Sequence, residues 1–399
     1  MRATTRTLDE QVDLNDIAAG DGVLFVRNGV GIAGRGVAAR VEADAAVEFL
    51  ASIEHDDRRD ASARGVGGPV ALGAVPFVPG SAASLLVPSL VVGRDAEGCQ
   101  WVTEISGGDE PPASVVAAAR PSPRAQAFTV RPLTPVDRYL AAVAAARDAV
   151  RDGRLLKAVI AREVLVESDE PIDVHAVLLR LRASFGSSHR YSVDGFVGAS
   201  PELLVAREGS RVTSLPLAGT TPRTGDPDTD ARAAAALLAS AKNQVEHRVV
   251  IDMIHDTLLP WVSYLDWEPE PSVVAVANVQ HLATALEGRL SSPIPSVIEL
   301  VRALSPTPAL GGHPRDAALQ LIAEHEGVDR GRYGGAVGWV DAHGDGRWAV
   351  AIRCAEFSDD RRSARLIAGG GIVADSDPLD ELAETQAKLQ AMLSAIVRP

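Results

Sequence analysis

Two cysteines in 399 residues, Cys99 and Cys354, are too few for a disulfide framework or a thiolate zinc site. Both fall in stretches that read as strands. Positive charge is also short: 39 Lys and Arg stand against 53 Asp and Glu, a formal charge of −14. That balance disfavours nucleic acid or an anionic membrane as a partner, while leaving open a local basic pocket for a small anion. Long apolar runs are missing as well. SLLVPSLVVG is broken by Pro88 and falls short of the ~20 residues of a membrane span. The opening MRATTRTLDEQVDL lacks the apolar core of a signal peptide, so the expected location is the cytoplasm. There is no HExxH pair, Walker loop, GxSxG elbow or kinase signature, which argues against those chemistries. No internal repeat stands out.

What is present is an ordinary globular composition, 46% hydrophobic and 23% charged. Residues 1–130 read as mostly β, and residues 131–399 as a longer region of mixed helix and strand. Gly29, Gly31 and Gly34 spell GxGxxG, yet GRGVAARVE alternates like a strand and opens no helix, so a hairpin is expected there and not a dinucleotide site. SGGDEPPASVVAAARPSPRAQ (106–126) is the best linker candidate. TPVDRYLAAVAAARDAVRDG reads as an amphipathic helix and LLKAVIAREVLVE as a strand. YSVDGFVGA reads as one strand ending in a sharp turn at Ser200-Pro201-Glu202. A single long helix is expected from about Thr229 to Trp261, and a strand over VVAVANVQHLATALEGRL. No long unpaired apolar stripe asks for a partner, so a monomer is expected.

The last third is the densest in candidate chemistry. GRYGGAVGWVDAHGDGRWAVAIRCAEF reads as two strands joined by a turn at Ala342–Gly346. On the second, Trp348, Val350, Ile352 and Cys354 face one way, and Ala349, Ala351, Arg353 and Ala355 the other. Arg353 then either floors a carboxylate pocket or stands solvated on an exposed face. Gly369, Gly370 and Gly371 end the next strand and allow close approach to backbone N–H groups. A helix starting at Asp377-Pro378 carries Glu381, Glu384 and Lys388 on one face. That trio could hold Mg²⁺ and an anion, or be surface charge. Elsewhere, Lys157 is an edge gatekeeper or a desolvated general base. Glu202 is a capping carboxylate or a general acid, and Glu246 reads as an i, i+4 surface partner of Lys242. His281 follows a strand and is open between a core residue and a catalyst.

Together the segments LLKAVIARE, GASPELLV, LPLAGTTPR, KNQVEHRVVIDMI, VQHLATALEGRL, LSPTPALGGHP, YGGAVGWVD, AIRCAEF, LIAGGGIVADSDP and ELAETQAKL resemble the successive motifs of the chorismate-utilising enzymes. The match runs unbroken over about residues 135–395, with only loose likeness in 1–130. It implies that family's α/β (α+β) fold: two large, mostly antiparallel β-sheets in a sandwich surrounded by helices, with the site between them. Three positions resemble the isochorismate-forming members. Lys157 stands where ammonia-using members have Gln, Ala218 where aminodeoxychorismate synthases carry a nucleophilic Lys, and Ala309 where salicylate synthases have Thr. Asn243, where many relatives have Asp, departs from the pattern.

The resemblance also implies roles. Lys157 would activate water and Glu202 protonate the departing C4 hydroxyl. Glu246 and Glu384 would bind Mg²⁺ with support from Glu381. Arg353 and Tyr333 would hold the enolpyruvyl carboxylate of chorismate, assisted by Gly219, Thr220, Gly369, Gly370 and Gly371. Lys388 would face the ring carboxylate, and His281 and Ala309 would lie near the ring. Salicylate synthesis, another chorismate reaction, or an inactive chorismate-binding protein are the alternatives.

Overall fold

Thirteen strands form one sheet and nine a second, with a three-stranded sheet beside them. The protein's structure, a computed structural model, describes residues 1–60, 66–108, 127–276 and 279–397. The linker candidate at 106–126 lies almost wholly outside the described residues. In the larger sheet the strands Lys157–Ser168, Ser363–Ile372, Cys354–Phe357, Phe196–Ser200, His189–Val193 and Val23–Arg27 are neighbours in that order. All are antiparallel; Arg2–Thr7 with Glu54–Asp57 is a parallel pair at the far edge. The nine-stranded sheet centres on Leu203–Glu208, Gly346–Val350, Ala336–Asp341 and Val70–Val75. Strands from the first 108 residues therefore enter both sheets.

Period-2 alternation sorts the apolar side chains into two layers. Val23 and Phe25 join Tyr191, Val205, Val337 and the fully buried Trp348 in a core to which both sheets contribute. Leu24 and Val26 face the other way, against Leu14, Val177, Leu181 and Met392 from the helices. Each such side chain contributes about 1.5–3 kcal/mol when fully buried. No described helix is long and apolar enough to cross a membrane.

Several elements differ from the sequence reading, each for a local reason. The GxGxxG stretch is a hairpin, as expected: Asn28 and Gly29 both have positive φ (52° and 79°), the geometry of a two-residue primed turn. The same chemistry, unrecognised in sequence, divides YSVDGFVGA into His189–Val193 and Phe196–Ser200, with Asp194 and Gly195 at φ 46° and 71°. The long helix is two, Pro227–Ala239 and Ala241–Leu258. Ser240 leaves helical geometry at ψ 107° and its hydroxyl accepts from the Asn243 amide, capping the second helix. The 272–290 stretch holds three strands, Ser272–Val276, Val279–Ala283 and Leu286–Leu290. Cys99 precedes the strand Gln100–Ser106 and is not part of it.

The correction that matters most concerns residues 346–357. They are not one strand. Gly346–Val350 belongs to the nine-stranded sheet and Cys354–Phe357 to the thirteen-stranded one. Between them Arg353 takes φ 53°, which breaks the alternation expected of it. The neighbouring strand segment crosses at the same place: Phe196–Ser200 lies in the larger sheet, Leu203–Glu208 in the smaller, with Pro201-Glu202 between. Two hydrogen bonds join these crossings, Ala199 N–H to Arg353 O and Val350 N–H to Glu202 O, both 3.1 Å. Glu202 and Arg353 thus stand where a two-stranded ribbon passes between the sheets.

Candidate active site

Lys157 opens its strand with its side chain almost wholly buried, and its Nζ donates to Glu246 Oε1 at 2.6 Å. A Cβ on Gly371 would come within 2.6 Å of Lys157 Cε and 3.2 Å of Glu246 Oε1, so only glycine leaves this pair its room. The i, i+4 pairing of Glu246 with Lys242 does not form. Glu246 turns inward to Lys157, and Lys242 remains at the cavity wall. Beneath the Lys157 strand lies a buried ion pair, Arg330 to Glu326 at 2.5 Å. Glu326 accepts from Ala161 N–H at 2.7 Å, while Arg330 donates to Val159 O at 2.7 Å and Leu310 O at 2.8 Å. That pair ties the strand to the loop that carries Ala309.

At the ribbon crossing, Glu202 is 2% exposed. Burial pushes its carboxyl up to about 8, against the opposing effects of a Leu217 backbone hydrogen bond, Lys157 and Arg353. It is therefore a protonated acid at neutral pH. Arg353 has no carboxylate within ion-pairing distance among the described residues. Burial pulls its basicity down, offset by Tyr333, Glu384 and Glu202. A guanidinium so placed is a ready anion receptor.

Arg353 donates to His281 Nε2 at 3.4 Å, and His281 Nδ1 lies 3.1 Å from Thr220 Oγ1 and 3.3 Å from Gly219 O. Nε2 accepts, so Nδ1 carries the proton. Burial, then Arg353 and Lys388, push this imidazole down to about 3, which keeps it neutral. Gly219 has φ 75°, and its missing Cβ would sit 3.2 Å from Asn243 Oδ1. Asn243 holds Ser240 through Nδ2 at 2.9 Å and so seats the loop on the helix. Tyr333 reaches the Gly369 strand, and burial pushes its phenol up to about 12.

Asp377 caps the last helix by accepting from Leu379 and Asp380 N–H, aiming its first turns at the cavity. Glu384 lies 2.6 Å from Lys388 Nζ, which also donates to Gly369 O at 2.8 Å; the ammonium holds that carboxyl below its usual range. Glu381 Oε1 accepts from Ser376 Oγ at 2.8 Å, while its Oε2 is buried with no partner among the described residues. Burial and the neighbouring Glu384 push Glu381 up to about 7. Among the described residues no three acidic, imidazole or thiol groups form an assembled metal cluster. The donor chemistry nevertheless fits a hard divalent cation: Glu246, Glu381 and Glu384 are oxygen ligands around one cavity, and one buried oxygen lacks a partner.

The cavity measures about 270 Å³. It brings together all the residues singled out from the sequence except Gly370. A Cβ at Gly370 would lie 2.5 Å from Glu381 Oε2, so this glycine makes room for a carboxylate and does not face the cavity. Lys242, Asn243, Pro201 and Ile352 also line it and were not assigned to the site. The position of Lys242, one turn before Glu246, was the available signal.

Residues 69–397 match the family described as chorismate binding enzyme. The chain is 45% identical over 341 residues to a Mycobacterium tuberculosis protein provisionally named isochorismate synthase MenF, covering 82% of this chain and 86% of that one. It is 38% identical over 361 residues to isochorismate synthase DhbC of Bacillus subtilis, covering 88% and 86%. Its fold is similar to that of MenF, the menaquinone-specific isochorismate synthase of Escherichia coli, with a TM-score of 0.82 at 24% identity over 99% of this chain and 94% of that chain.

Proposed function

Because the chain belongs to the chorismate-binding enzymes, we propose that it isomerises chorismate to isochorismate, for menaquinone or siderophore synthesis. Water adds at C2, the ring double bonds shift, and the C4 hydroxyl leaves as water, so the formula is unchanged and the reaction is reversible. The observation that carries this reading is a lysine and a protonated carboxyl lining one cavity. Lys157 takes the proton from water, and Glu202, raised to about 8, gives one to the departing hydroxyl. Relatives at 45% and 38% identity carry the corresponding name.

The cations suit a substrate with two carboxylates. Arg353 and Tyr333 hold the enolpyruvyl carboxylate, with backbone at Gly219, Gly369 and Gly371 assisting, and Lys388 faces the ring carboxylate. His281, neutral and oriented by Thr220 and Gly219, borders the ring without adding charge. Glu246 and Glu384 would hold Mg²⁺ with Glu381 in support, and a cation there would supply charge neutralisation at the ring carboxylate, which would make C2 more open to a nucleophile. Ala218 lines the cavity and cannot form the covalent adduct an amine-bearing side chain would.

The test is a chromatographic product assay with chorismate and Mg²⁺, with and without ammonium, and an EDTA control. Isochorismate in equilibrium with chorismate, independent of ammonium and lost with EDTA, is the expected result. Salicylate with pyruvate, or an aminated product, would assign a different member reaction. Bound but unconverted chorismate would leave only a binding protein.

A further inference from the structure

A second cavity, of about 580 Å³, shares no lining residue with the site above. It sits on the helix-covered face of the thirteen-stranded sheet, on the side of Val26 and away from Phe25. One row of residues crosses four neighbouring strands there: Arg190 is opposite Val26, Val26 opposite Gly31, and Gly31 opposite Arg94. Opposed residues point to the same face and strands are about 4.8 Å apart, so two arginines rise from bases roughly 14 Å apart. Only a valine and a glycine lie between them.

Arg182, from the helix Val174–Phe185, adds a third guanidinium. Among the described residues the one carboxylate lining the cavity is Asp13, which is held by Arg182. Arg190 is 1% exposed; its Nη1 donates to Asn15 Oδ1 at 2.7 Å, and its Nε has no acceptor among the described residues. Arg94 donates to Val12 O at 2.9 Å, and its Nε is likewise buried and unpartnered. Burial, then Arg182, push Arg190 down to about 10 against the opposing effect of Asp13. Three guanidiniums against one acid, in a chain of charge −14, form a concentration of positive charge that the described residues lining the cavity do not neutralise.

We propose that this cavity is a second anion-binding site, taking a small polyanion whose phosphate or carboxylate groups lie between Arg94 and Arg190. The proposal is independent of the reaction assigned to the first cavity. Calorimetric titration of the full chain with inorganic pyrophosphate, and separately with citrate, tests it and separates the two anion chemistries. An R353Q variant weakens anion binding in the first cavity, which Lys157, Lys242 and Lys388 also line, so binding that is undiminished in R353Q yet weakened by substitution of Arg94 and Arg182 belongs to the second cavity. The expected result is one saturable site for at least one probe, with Kd below about 1 mM. It is retained in R353Q and weakened at least about tenfold in R94Q/R182Q, which keeps parental chorismate turnover. Should R94Q/R182Q fail to fold, R182Q alone, at a half-exposed position, is expected to weaken binding about threefold, since it also frees Asp13 to repel the probe. No saturable binding by either probe, binding lost in R353Q, or undiminished binding in the folded arginine variant would each overturn the proposal.

Discussion

Lys157 Nζ and Glu246 Oε1 meet at 2.6 Å inside the cavity, joining the first residue of a strand to a helix residue 89 positions later. The contact makes Lys157 the test of the general-base reading. Lys157→Ala is expected to lower kcat for isochorismate formation by about 10²–10⁴-fold. Chorismate binding, which the proposal assigns to Arg353, Tyr333 and Lys388, is expected to stay within about threefold. Turnover near the parental rate in K157A would remove Lys157 from the chemistry.

Glu202 provides the pH dependence. Its carboxyl is raised to about 8 by burial, so the acid form proposed to serve catalysis is lost as pH rises through about 8. The forward rate is expected to fall on that limb, and Glu202→Gln to be slow at every pH. Stability follows the same sign. With a folded pKa above the ordinary carboxylate value, the contribution is full below about pH 4.5 and lost as pH climbs through 8. Glutamine has no charge to bury, so the melting temperature of E202Q should gain on the parent as pH rises from about 5 to 8 and the gain should level off above that. Parallel melting curves across that range would show that Glu202 is not held protonated.

Gly371→Ala probes whether close packing at the Lys157–Glu246 pair matters for function apart from folding. The new Cβ meets the flexible end of a lysine, 2.6 Å from Cε, and the backbone there does not have positive φ. The protein is expected to fold with a stability loss of about 1–3 kcal/mol, the usual cost of overpacking. Isochorismate formation is expected to drop by about tenfold or more as Nζ is displaced. Full activity with a lowered melting temperature would mean that the glycine serves packing alone.

Ala309→Thr addresses the boundary with salicylate synthesis. Ala309 lines the cavity beside Leu310, whose carbonyl is fixed by Arg330. With a hydroxyl added, part of the isochorismate, on the order of a few per cent or more, is expected to proceed to salicylate and pyruvate, read by chromatography. Absence of salicylate would place control of that second step at other positions.

Much of the site was legible because its residue types are improbable in their local setting. A lysine in an apolar strand, three successive glycines at a strand end, and an Asp-Pro cap before Glu381, Glu384 and Lys388 each carry a local signal, and their order along the chain resembles one family. Helix starts at Val174 and Pro378 follow from Asp173 and Asp377 caps that side-chain chemistry makes readable. Element breaks were less legible. Ser240 between two helical stretches and Asp194-Gly195 inside an alternating run are single-residue decisions that periodicity averages over.

By itself, then, the sequence determined the inventory: an acidic chain with few cysteines, two layers of alternating strands, and the acids, lysines and glycines of one site. Tertiary structure decided their states and partners. It sent Glu246 to Lys157 in place of Lys242, because residues four apart on a helix pair only when neither has a better-buried partner. It also turned Gly370 toward Glu381. Above all it ended one strand at Val350 and began another at Cys354, in different sheets, setting Arg353 and the buried Glu202 at one crossing. Alternation along a strand is local, but where a ribbon leaves one sheet for another depends on packing between sheets. Burial, which sets whether a carboxyl is an acid or an anion, exists only once that packing is complete.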